Sequence, residues 1–576
     1  MYPIKNKVEN KTVGKIKNTA ITKALKHSVA AVAAMSLFVL SACGSAPSAS
    51  LGISNASKLN PNPHKGGTLT ILTSGSNMDF DPAKSQSLPI TSSSFIYRRL
   101  TTWKIQPNGK TSVIPDLATD TGTTTDGGKT WKYTLKKGLK FENGETITSK
   151  NIKYGLERSF ADSLIGGTSY HKTLLKDADT YHGPFEGKSL YSIETPDDST
   201  IIFHLTTPFA DWPWVTSMAA FVPIPTNAGP TAKDVAHVAS GPYRVEKYEA
   251  GKQLVMVRNK YWDKKTDPMR TAGPDKIFWK LGSEASVAAQ SIIHNSKDTK
   301  NAFLSSFVPP SQLAQAQASP SARKLLVTSK DGALEYLAIN TQRVTDLNLR
   351  KAIYYAVDKQ SYRTAKGGAI AGNFANDLIT PGIQARASYD LYHVGPRGDV
   401  NKSKEYLKKS GKESVKLTLL ATPDQAAIAS SIQNALKRAG IKVTIKTLDD
   451  EVYTDATTGN SGDYDLALSS WQPDFPSPYA NINPLFHSSQ IGNGNYNLAR
   501  YKNEQVDNDI IKATQTIDEK AAAKLWQKVD KEIMKDAPIV PLIYSHNTFI
   551  HGENVENFFI GSFPAYPNYS LVSLGK

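Results

Sequence analysis

The chain of 576 residues contains a single cysteine, Cys43. Disulfide frameworks, CxxC redox pairs and zinc sites built from thiolates are therefore excluded. The eleven histidines are dispersed, without an HExxH pattern or a pair at metal-ligand spacing, and no GxSxG string marks a nucleophilic serine. The sequence thus gives no support to metal chemistry or covalent catalysis, and we predict neither an enzyme nor a bound cofactor.

A concentrated basic region is also missing from the body of the chain. Lysine and arginine number 68 against 52 acidic residues, which gives a formal net charge of +16. After the lysine-rich beginning, these cations are scattered and form no run interleaved with aromatic residues, as a nucleic-acid surface would require. A diffuse excess of lysine suits an exported protein beside an anionic cell envelope, so no nucleic-acid partner is predicted.

Long hydrophobic runs are absent, with one short exception near the start. Residues 28–40 form an apolar stretch after seven lysines, too short to span a bilayer and typical of a signal-peptide core. The following string LSAC, which ends at Cys43, resembles the lipobox of bacterial lipoproteins. That resemblance implies that the thiol of Cys43 carries a diacylglyceryl anchor, since two acyl chains hold a protein stably at a membrane. The alternative is a buried cysteine that follows an ordinary cleavable signal.

The body of the chain begins after a linker. Residues 44–66 are rich in Gly, Ser, Ala, Asn and Pro, which predicts a flexible segment, and the folded part is expected from Gly67 onward. Alternating apolar and polar residues predict several strands in the first half of the chain. These predicted strands are residues 68–72, 130–135, 139–141, 199–205 and 253–258.

The second half of the chain alternates between strand and helix patterns. An apolar stripe predicts a helix over residues 349–357, and another predicts a helix over 522–533. A strand is predicted over residues 415–420, a helix that ends at Gly440 over residues 424–439, and a parallel strand over residues 441–447. A further buried strand is expected over 464–470. These patterns by themselves indicate a large α/β protein of at least two lobes.

Three sequence blocks carry a family resemblance. Residues 126–157 (DGGKTWKYTLKKGLKFENGETITSKNIKYGLE) resemble the signature of family 5 of the bacterial extracellular solute-binding proteins, the oligopeptide- and dipeptide-binding lipoproteins of ABC transporters. The blocks 240–262 (SGPYRVEKYEAGKQLVMVRNKYW) and 334–359 (LEYLAINTQRVTDLNLRKAIYYAVDK) are similar to later parts of the family pattern, in the same order. One departure is Asn151, which replaces the usual aspartate where a helix begins.

The resemblance implies an α/β, two-lobed clamp of the periplasmic-binding-protein kind (class II type) with an extra inserted α+β domain. It further implies a signal peptide, a linker, a discontinuous lobe I and a continuous lobe II. The expected limits are 1–42 for the lipoprotein signal peptide, 43–66 for the linker, 67–110, 225–332 and 536–576 for lobe I, 111–224 for the inserted subdomain of lobe I, and 333–535 for lobe II.

The predicted ligand site is the segment SSWQPDFPSPY, residues 469–479, because the carboxyl ends of strands commonly carry ligand groups in α/β folds. In the peptide-binding relatives a W-x-x-D motif here supplies the carboxylate that holds the ammonium of the peptide, which implies that role for Asp474. The alternative is that Trp471 anchors the core and Asp474 caps a turn. Trp212 and Trp214 are typical of core positions. The full set of candidate ligand residues is Asp474, Trp471, Gln472, Phe475, Ser74, Asn77 and Asn373.

The function implied by the resemblance is capture without chemistry. A lipid-anchored monomer on the extracytoplasmic face of the cell membrane would close its two lobes on an oligopeptide and deliver it to an ABC permease driven by a separate ATPase. Other solutes, such as an oligosaccharide or a metal chelate, remain alternatives, as does a peptide-signal receptor. A lipid-anchored hydrolase is the alternative from a different class, and it alone would cleave a peptide.

Overall fold

The computed structural model describes residues 59–575, apart from residues 108, 165, 232–234, 236–237, 268 and 413. Cys43, the predicted signal peptide and most of the predicted linker lie outside the described residues. No helix in the described part of the chain combines the length and the apolar character needed to cross a membrane.

The described residues contain twenty strands. In chain order they are β1 (Thr68–Leu72), β2 (Thr101–Ile105), β3 (Thr111–Pro115), β4 (Thr130–Thr134), β5 (Ile193–Glu194), β6 (Thr200–His204), β7 (Tyr243–Glu249), β8 (Gln253–Arg258), β9 (Lys276–Lys280), β10 (Ala302–Leu304), β11 (Leu326–Thr328), β12 (Leu334–Ile339), β13 (Gly372–Phe374), β14 (Val415–Ala421), β15 (Ile441–Thr447), β16 (Leu466–Trp471), β17 (Ile539–Ser545), β18 (Thr548–Ile550), β19 (Val555–Glu556) and β20 (Ser573–Leu574).

The described helices are concentrated in the second half of the chain. In order they are α1 (Ser149–Arg158), α2 (Tyr170–Leu174), α3 (Trp212–Val215), α4 (Ala285–Ile293), α5 (Pro310–Ala318), α6 (Pro320–Arg323), α7 (Leu347–Ala356), α8 (Lys359–Ala365), α9 (Val400–Lys409), α10 (Ala426–Arg438), α11 (Asp450–Thr458), α12 (Pro478–Phe486), α13 (Glu504–Gln515) and α14 (Glu519–Lys535).

Two large sheets define the two lobes. Lobe I is built on a five-stranded sheet of order β10-β1-β9-β8-β7, and lobe II on a six-stranded sheet of order β13-β17-β12-β16-β14-β15. A three-stranded sheet, β4-β6-β5, together with α1, α2 and α3 forms a further part that we call the inserted unit. The mixed sheets confirm the predicted fold class, a two-lobed α/β clamp.

The lobes are connected by a short two-stranded ribbon. β11 and β18 are antiparallel, so the chain leaves lobe I after β11 to enter β12 and returns from β17 into β18. Beyond β18, the rings of Phe558 and Tyr569 each pack at 5.0 Å between centroids against Phe303 of β10. The end of the chain therefore packs on lobe I, while the exact domain limits given above stay predictions.

The βαβ unit predicted in the second half is present in lobe II. β14 and β15 are parallel over their full lengths. Between them, α10 buries Ile428, Ile432 and Leu436, which are four residues apart and share one face of the helix. Gly440 follows with a φ of +90°, a left-handed conformation that glycine adopts without steric cost. Local pattern alone was sufficient to predict this unit.

The helix entry that departs from the family pattern still works as a cap. The backbone N–H of Thr148 donates to Asn151 Oδ1 at 2.8 Å, as it would to an aspartate. The Nδ2 of Asn151 also donates to the carbonyl of Ile224 at 3.2 Å, which an aspartate could not do. The substitution therefore adds a connection between α1 and the chain that leaves the inserted unit.

One predicted strand is wrong. Residues 139–141 form no strand, and an isolated bridge between Lys140 and Thr146 is the pairing found there. The backbone N–H of Glu142 donates to the carbonyl of Ala239 at 2.9 Å instead of continuing a ladder. The chain turns back within the next three residues, which leaves too few residues for a strand and its partner. The alternation of Leu139 and Phe141 therefore reflects the burial of their side chains in a tight loop.

Candidate ligand cleft

At one end of the lobe II sheet, four neighbouring strands form a row of paired residues. Trp471 at the end of β16 is paired with Leu334 of β12, Leu334 with Tyr544 of β17, and Tyr544 with Asn373 of β13. At about 4.8 Å between neighbouring strands, Trp471 and Asn373 lie about 14 Å apart along the same end of the sheet. The fold thus places two of the predicted residues, far apart in sequence, on one row.

β16 also has an unpaired backbone edge at this end. It is paired with β12 over its whole length, but with β14 only at Leu466 and Ala467. Residues 469–471 therefore lack a strand partner on the β14 side within the described part of the chain. An extended chain could add there through main-chain hydrogen bonds.

Asp474 lies three residues beyond β16 and faces the inserted unit. Its Oδ2 accepts a hydrogen bond from the hydroxyl of Tyr170 at 2.5 Å. The carboxylate is exposed to water, and no described residue forms an ion pair with it. Protein on both sides of the cleft still limits its hydration, which raises the pKa of Asp474 above its ordinary value, while the bond from Tyr170 opposes this shift. The site holds an acid that lacks a cation.

Tyr170 reaches the cleft because its neighbour in sequence is buried. His171 is 0% exposed, its Nε2 is 2.7 Å from Ser159 Oγ, and its ring meets the ring of Phe160 at 5.3 Å. Burial lowers the pKa of His171 to about 3, so the imidazole is neutral. With His171 held inside the inserted unit, the first residue of α2 is directed towards lobe II. His171 therefore acts as a packing residue, as expected for the dispersed histidines.

A second bridge connects the inserted unit to the same loop. Ser477 donates a hydrogen bond to Asp211 Oδ2, and the backbone N–H of Ala210 donates to the carbonyl of Thr514 at 3.0 Å. The rings of Phe209 and Tyr479 meet edge to face at 5.0 Å between centroids. The two sides of the cleft are in contact along this line.

Trp471, Gln472 and Phe475 have different environments. The Nε1 of Trp471 donates to the carbonyl of Ala480 at 2.8 Å, so its polar atom is used within the loop, although the ring is partly exposed. Gln472 is also partly exposed. Phe475 is 0% exposed and packs edge to face on Tyr170 at 5.2 Å, which places it in the contact between the two sides.

The remaining candidates lie apart from Asp474. Ser74 and Asn77 are exposed in the loop after β1, which is held by a bond from the Gly251 N–H to the Ser76 carbonyl at 2.6 Å. None of their described hydrogen bonds reaches lobe II. Asn373 is exposed and its Nδ2 donates to Asp331 Oδ1 at 3.0 Å. Direct ligand contact for these three residues stays a prediction.

Sequence reasoning missed Tyr170 and Asp211, and it included Ser477 only as part of the segment 469–479. Each lies beside a residue with an ordinary packing role, and the partners in each bridge are separated by 304 and 266 positions in the chain. No local pattern marks such pairs. Within the described residues, no group of three or more His, Cys, Asp or Glu side chains could hold a metal ion.

Comparison with known proteins identifies the family of the chain. The model of the bacterial extracellular solute-binding proteins, family 5 (middle part), matches residues 112–493. The chain is 27% identical over 481 residues to the probable D,D-dipeptide-binding periplasmic protein DdpA of Escherichia coli K12, covering 80% of this chain and 85% of the relative. It is 23% identical over 451 residues to the dipeptide-binding protein DppE of Bacillus subtilis 168, covering 74% and 78%.

A solved structure shows the same architecture. The clavulanic acid biosynthesis oligopeptide binding protein 2 aligns with a TM-score of 0.83 and 28% identity, covering 90% of this chain and 97% of that protein. The family resemblance expected from the sequence blocks is therefore confirmed, and so is the expectation of a binding protein. The chain belongs to family 5 of the bacterial extracellular solute-binding proteins, which bind solutes and are not enzymes.

Proposed function

We propose that this chain is the extracytoplasmic solute-binding component of an ABC importer and that its solute is a short peptide with a free amino terminus. Asp474 carries the proposal, because it is an acid at the end of β16 with no ion-pair partner among the described residues. A ligand ammonium would supply the missing charge. A charge-assisted hydrogen bond of this kind is about twice as strong as a neutral one.

The backbone around Asp474 favours a peptide over a sugar or a chelate. The free edge of residues 469–471 offers N–H and carbonyl groups at the spacing of an added strand. The names of the relatives DdpA and DppE, both dipeptide-binding, also favour a peptide ligand.

In the proposed mechanism the two lobes close on the peptide about the ribbon of β11 and β18. The bridges from Tyr170 and Asp211 to the loop 474–477 would then stabilise the loaded form. A lipid anchor at Cys43 would keep the protein beside the permease. Replacement of Cys43 by serine should release the protein from membranes, as measured by immunoblotting of the membrane and soluble fractions.

Calorimetry with matched peptides tests the proposed ligand. Trialanine with a free amino terminus is expected to bind the mature protein, and N-acetyl-trialanine is expected to bind at least tenfold more weakly. The Asp474→Asn variant keeps the shape of the side chain and an acceptor for Tyr170, yet should reduce affinity for free trialanine at least tenfold. Asp198→Asn, at an exposed pair with Lys150, is the control.

Two results would contradict the proposal. Equal affinity of wild type and Asp474→Asn for free and acetylated trialanine would remove Asp474 from the site. Cleavage of the peptide by pure protein, followed by mass spectrometry, would instead indicate the hydrolase. Native mass spectrometry of the protein as purified would identify a sugar or chelate if one of these fills the cleft.

A further inference from the structure

A separate cavity of about 320 Å³ lies between the inserted unit and lobe II. Residues 210, 211, 213 and 214 and Trp131 line it from one side, and residues 476–478 and α14 line it from the other. None of the seven candidate ligand residues is part of its wall, although residues 476–478 belong to the predicted segment 469–479. Its volume is at the low end for ligand pockets, which suits one small molecule or one side chain but not an oligopeptide.

The wall of this cavity combines acids with aromatic rings. Asp211 and Glu519 are its acidic lining residues, and Trp131, Trp214 and Trp526 are among its aromatic ones. No Lys, Arg or His is among the described residues that line it, although the whole chain has a net charge of +16. Acids and tryptophan faces without a cation form the environment that attracts an organic cation, through charge and through the negative faces of the rings.

The two carboxylates differ in how far the protein already satisfies them. Glu519 Oε2 accepts a hydrogen bond from Gln384 Nε2 at 3.0 Å, and Glu519 is exposed at the start of α14. Asp211 Oδ2 accepts from Ser477, and within the described residues its Oδ1 accepts no hydrogen bond and neither oxygen has an ion-pair partner. Asp211 is therefore the group that most needs a cation.

The surroundings of Asp211 agree with this assignment. Burial raises the pKa of Asp211 to about 6, while the hydrogen bond from Ser477 opposes that shift. If Asp211 served only to accept the hydrogen bond from Ser477, a neutral side chain could replace it. If Asp211 binds a cation, its negative charge is required. A cation beside Asp211 would offset the desolvation of the carboxylate.

Trp214 lies on α3, the short helix that begins directly after Asp211. Trp212 is 0% exposed and packs on Phe203 and Phe221 at 5.3 and 5.8 Å between centroids, which fixes α3 in the inserted unit. Trp214 is partly exposed, and unlike Trp212 it lines the cavity. Of the two tryptophans expected to be core residues, one is thus available to a ligand.

We propose that this cavity binds an organic cation, an ammonium or guanidinium group, held by Asp211 and the indole faces of Trp131, Trp214 and Trp526. The site goes beyond the proposed peptide function, since neither Asp474 nor Tyr170 is among its lining residues. Only the peptide source of the cation rests on that function. The cation has two chemical sources, a free small amine or the cationic side chain of a peptide bound at Asp474. Because both lobes wall the cavity, either one would favour closure.

Calorimetry with matched probes distinguishes the two sources. One set is Lys-Ala-Ala, Ala-Lys-Ala and Ala-Ala-Lys, each compared with the peptide that has norleucine in place of lysine. The free probe is n-butylammonium, compared with n-butanol and followed by tryptophan fluorescence. We expect at least a tenfold preference for lysine at one position, or saturable binding of butylammonium but not butanol.

Two variants assign the preference to this cavity. Asp211→Asn keeps the size of the side chain and an acceptor for Ser477. It should remove the preference for the charged probe, measured as the ratio of lysine to norleucine affinity, because any loss from a weaker bridge to Ser477 is common to both peptides. Ala523→Lys, on a partly exposed face of α14, places a cation at the cavity wall and should have the same effect. Asp198→Asn is the control. Asp474→Asn should weaken lysine and norleucine peptides equally, so the two sites fail independently.

The proposal is overturned if wild type does not discriminate the charged from the uncharged probe in either set. It is also overturned if Asp211→Asn and Ala523→Lys, with unchanged thermal unfolding, weaken charged and uncharged probes alike. That result would make Asp211 a contact between the lobes and nothing more.

Discussion

The acids of lobe I and the acids of the cleft differ in one respect, the presence of a cation. Where lobe I meets the start of its inserted subdomain, Asp116 and Asp267 are buried with Arg98 and Arg270. The distances are 2.8 Å from Arg98 Nε to Asp116 Oδ1 and 2.9 Å from Arg270 Nη1 to Asp267 Oδ2. All four side chains are 1–2% exposed. In the cleft, Asp474 has a tyrosine hydroxyl as its partner and no cation.

The pKa shifts follow this difference. Burial alone would raise the pKa of Asp267, but Arg270 and Arg98 lower it well below its ordinary value. Burial raises the pKa of Asp474, and one hydroxyl does not reverse the shift. Acids that are paired with cations inside the protein stabilise the fold and cannot bind a ligand cation. Asp474 has no such partner and can bind a ligand ammonium.

The largest effect is expected in lobe I. Asp116→Asn leaves the guanidinium groups of Arg98 and Arg270 without a shared carboxylate in a buried site. Breaking one partner of such a network costs about 3–5 kcal/mol. Urea unfolding should therefore show a lower midpoint at an unchanged slope, with a matching loss in free energy of unfolding.

The control is an exposed aspartate. Asp198 lies 3.2 Å from Lys150, with both side chains largely exposed, and Asp198→Asn should leave the urea midpoint unchanged. If Asp116→Asn were equally silent, the distinction between the two kinds of acid would disappear.

The next effect concerns pH and peptide affinity. An ammonium needs the charged carboxylate, and the raised pKa of Asp474 means that its protonation begins at higher pH than that of an ordinary aspartate. Affinity for free trialanine should therefore fall on acidification, approaching tenfold per pH unit once the protein is below this pKa.

N-acetyl-trialanine and the Asp474→Asn variant should lack this dependence, as measured by calorimetry over pH values at which circular dichroism shows an intact fold. A slope that survives in Asp474→Asn would assign the titration to another group.

The parts of this molecule that sequence could predict depend on local pattern. β1 lies at residues 68–72 as expected, and the unit from β14 through α10 to β15 ends its helix at Gly440 as expected. In these segments the alternation of apolar residues and one glycine determine the structure, because each element buries one face. The role of Asp474, by contrast, was predicted from the resemblance to a family motif.

The contacts across the cleft had no such signal. Tyr170 and Asp474 are 304 residues apart, and the cleft position of Tyr170 depends on the burial of His171 beside it. Trp212 and Trp214 are equivalent in the sequence, and the rotation of a four-residue helix decides which one is buried. Pairings of this kind follow from tertiary packing, which no short window of sequence contains.

A smaller effect is expected from Tyr170→Phe, which keeps the ring on Phe475 and removes the hydroxyl. Loss of one hydrogen bond worth about 1 kcal/mol corresponds to about fivefold weaker binding of free trialanine. Because the Tyr170 bond lowers the pKa of Asp474, the pH profile should also move to higher pH.

A purely structural role for Tyr170 would not move the profile. Tyr191→Phe, at a tyrosine that is 85% exposed, is the control and should change neither affinity nor profile.

The smallest effect is expected at a turn with two neighbouring glycines, of which only the second lies close to lobe II. Gly127 and Gly128 both have positive φ, +75° and +96°, so alanine is strained at either position, by about 1 kcal/mol. A Cβ on Gly127 would meet nothing within 4 Å, whereas one on Gly128 would lie 2.7 Å from Cδ1 of Ile517 in lobe II. Because a flexible methyl group can move, we expect about a twofold loss of peptide affinity for Gly128→Ala beyond that of Gly127→Ala, with equal thermal stability. Equal affinities would mean that this turn does not limit closure.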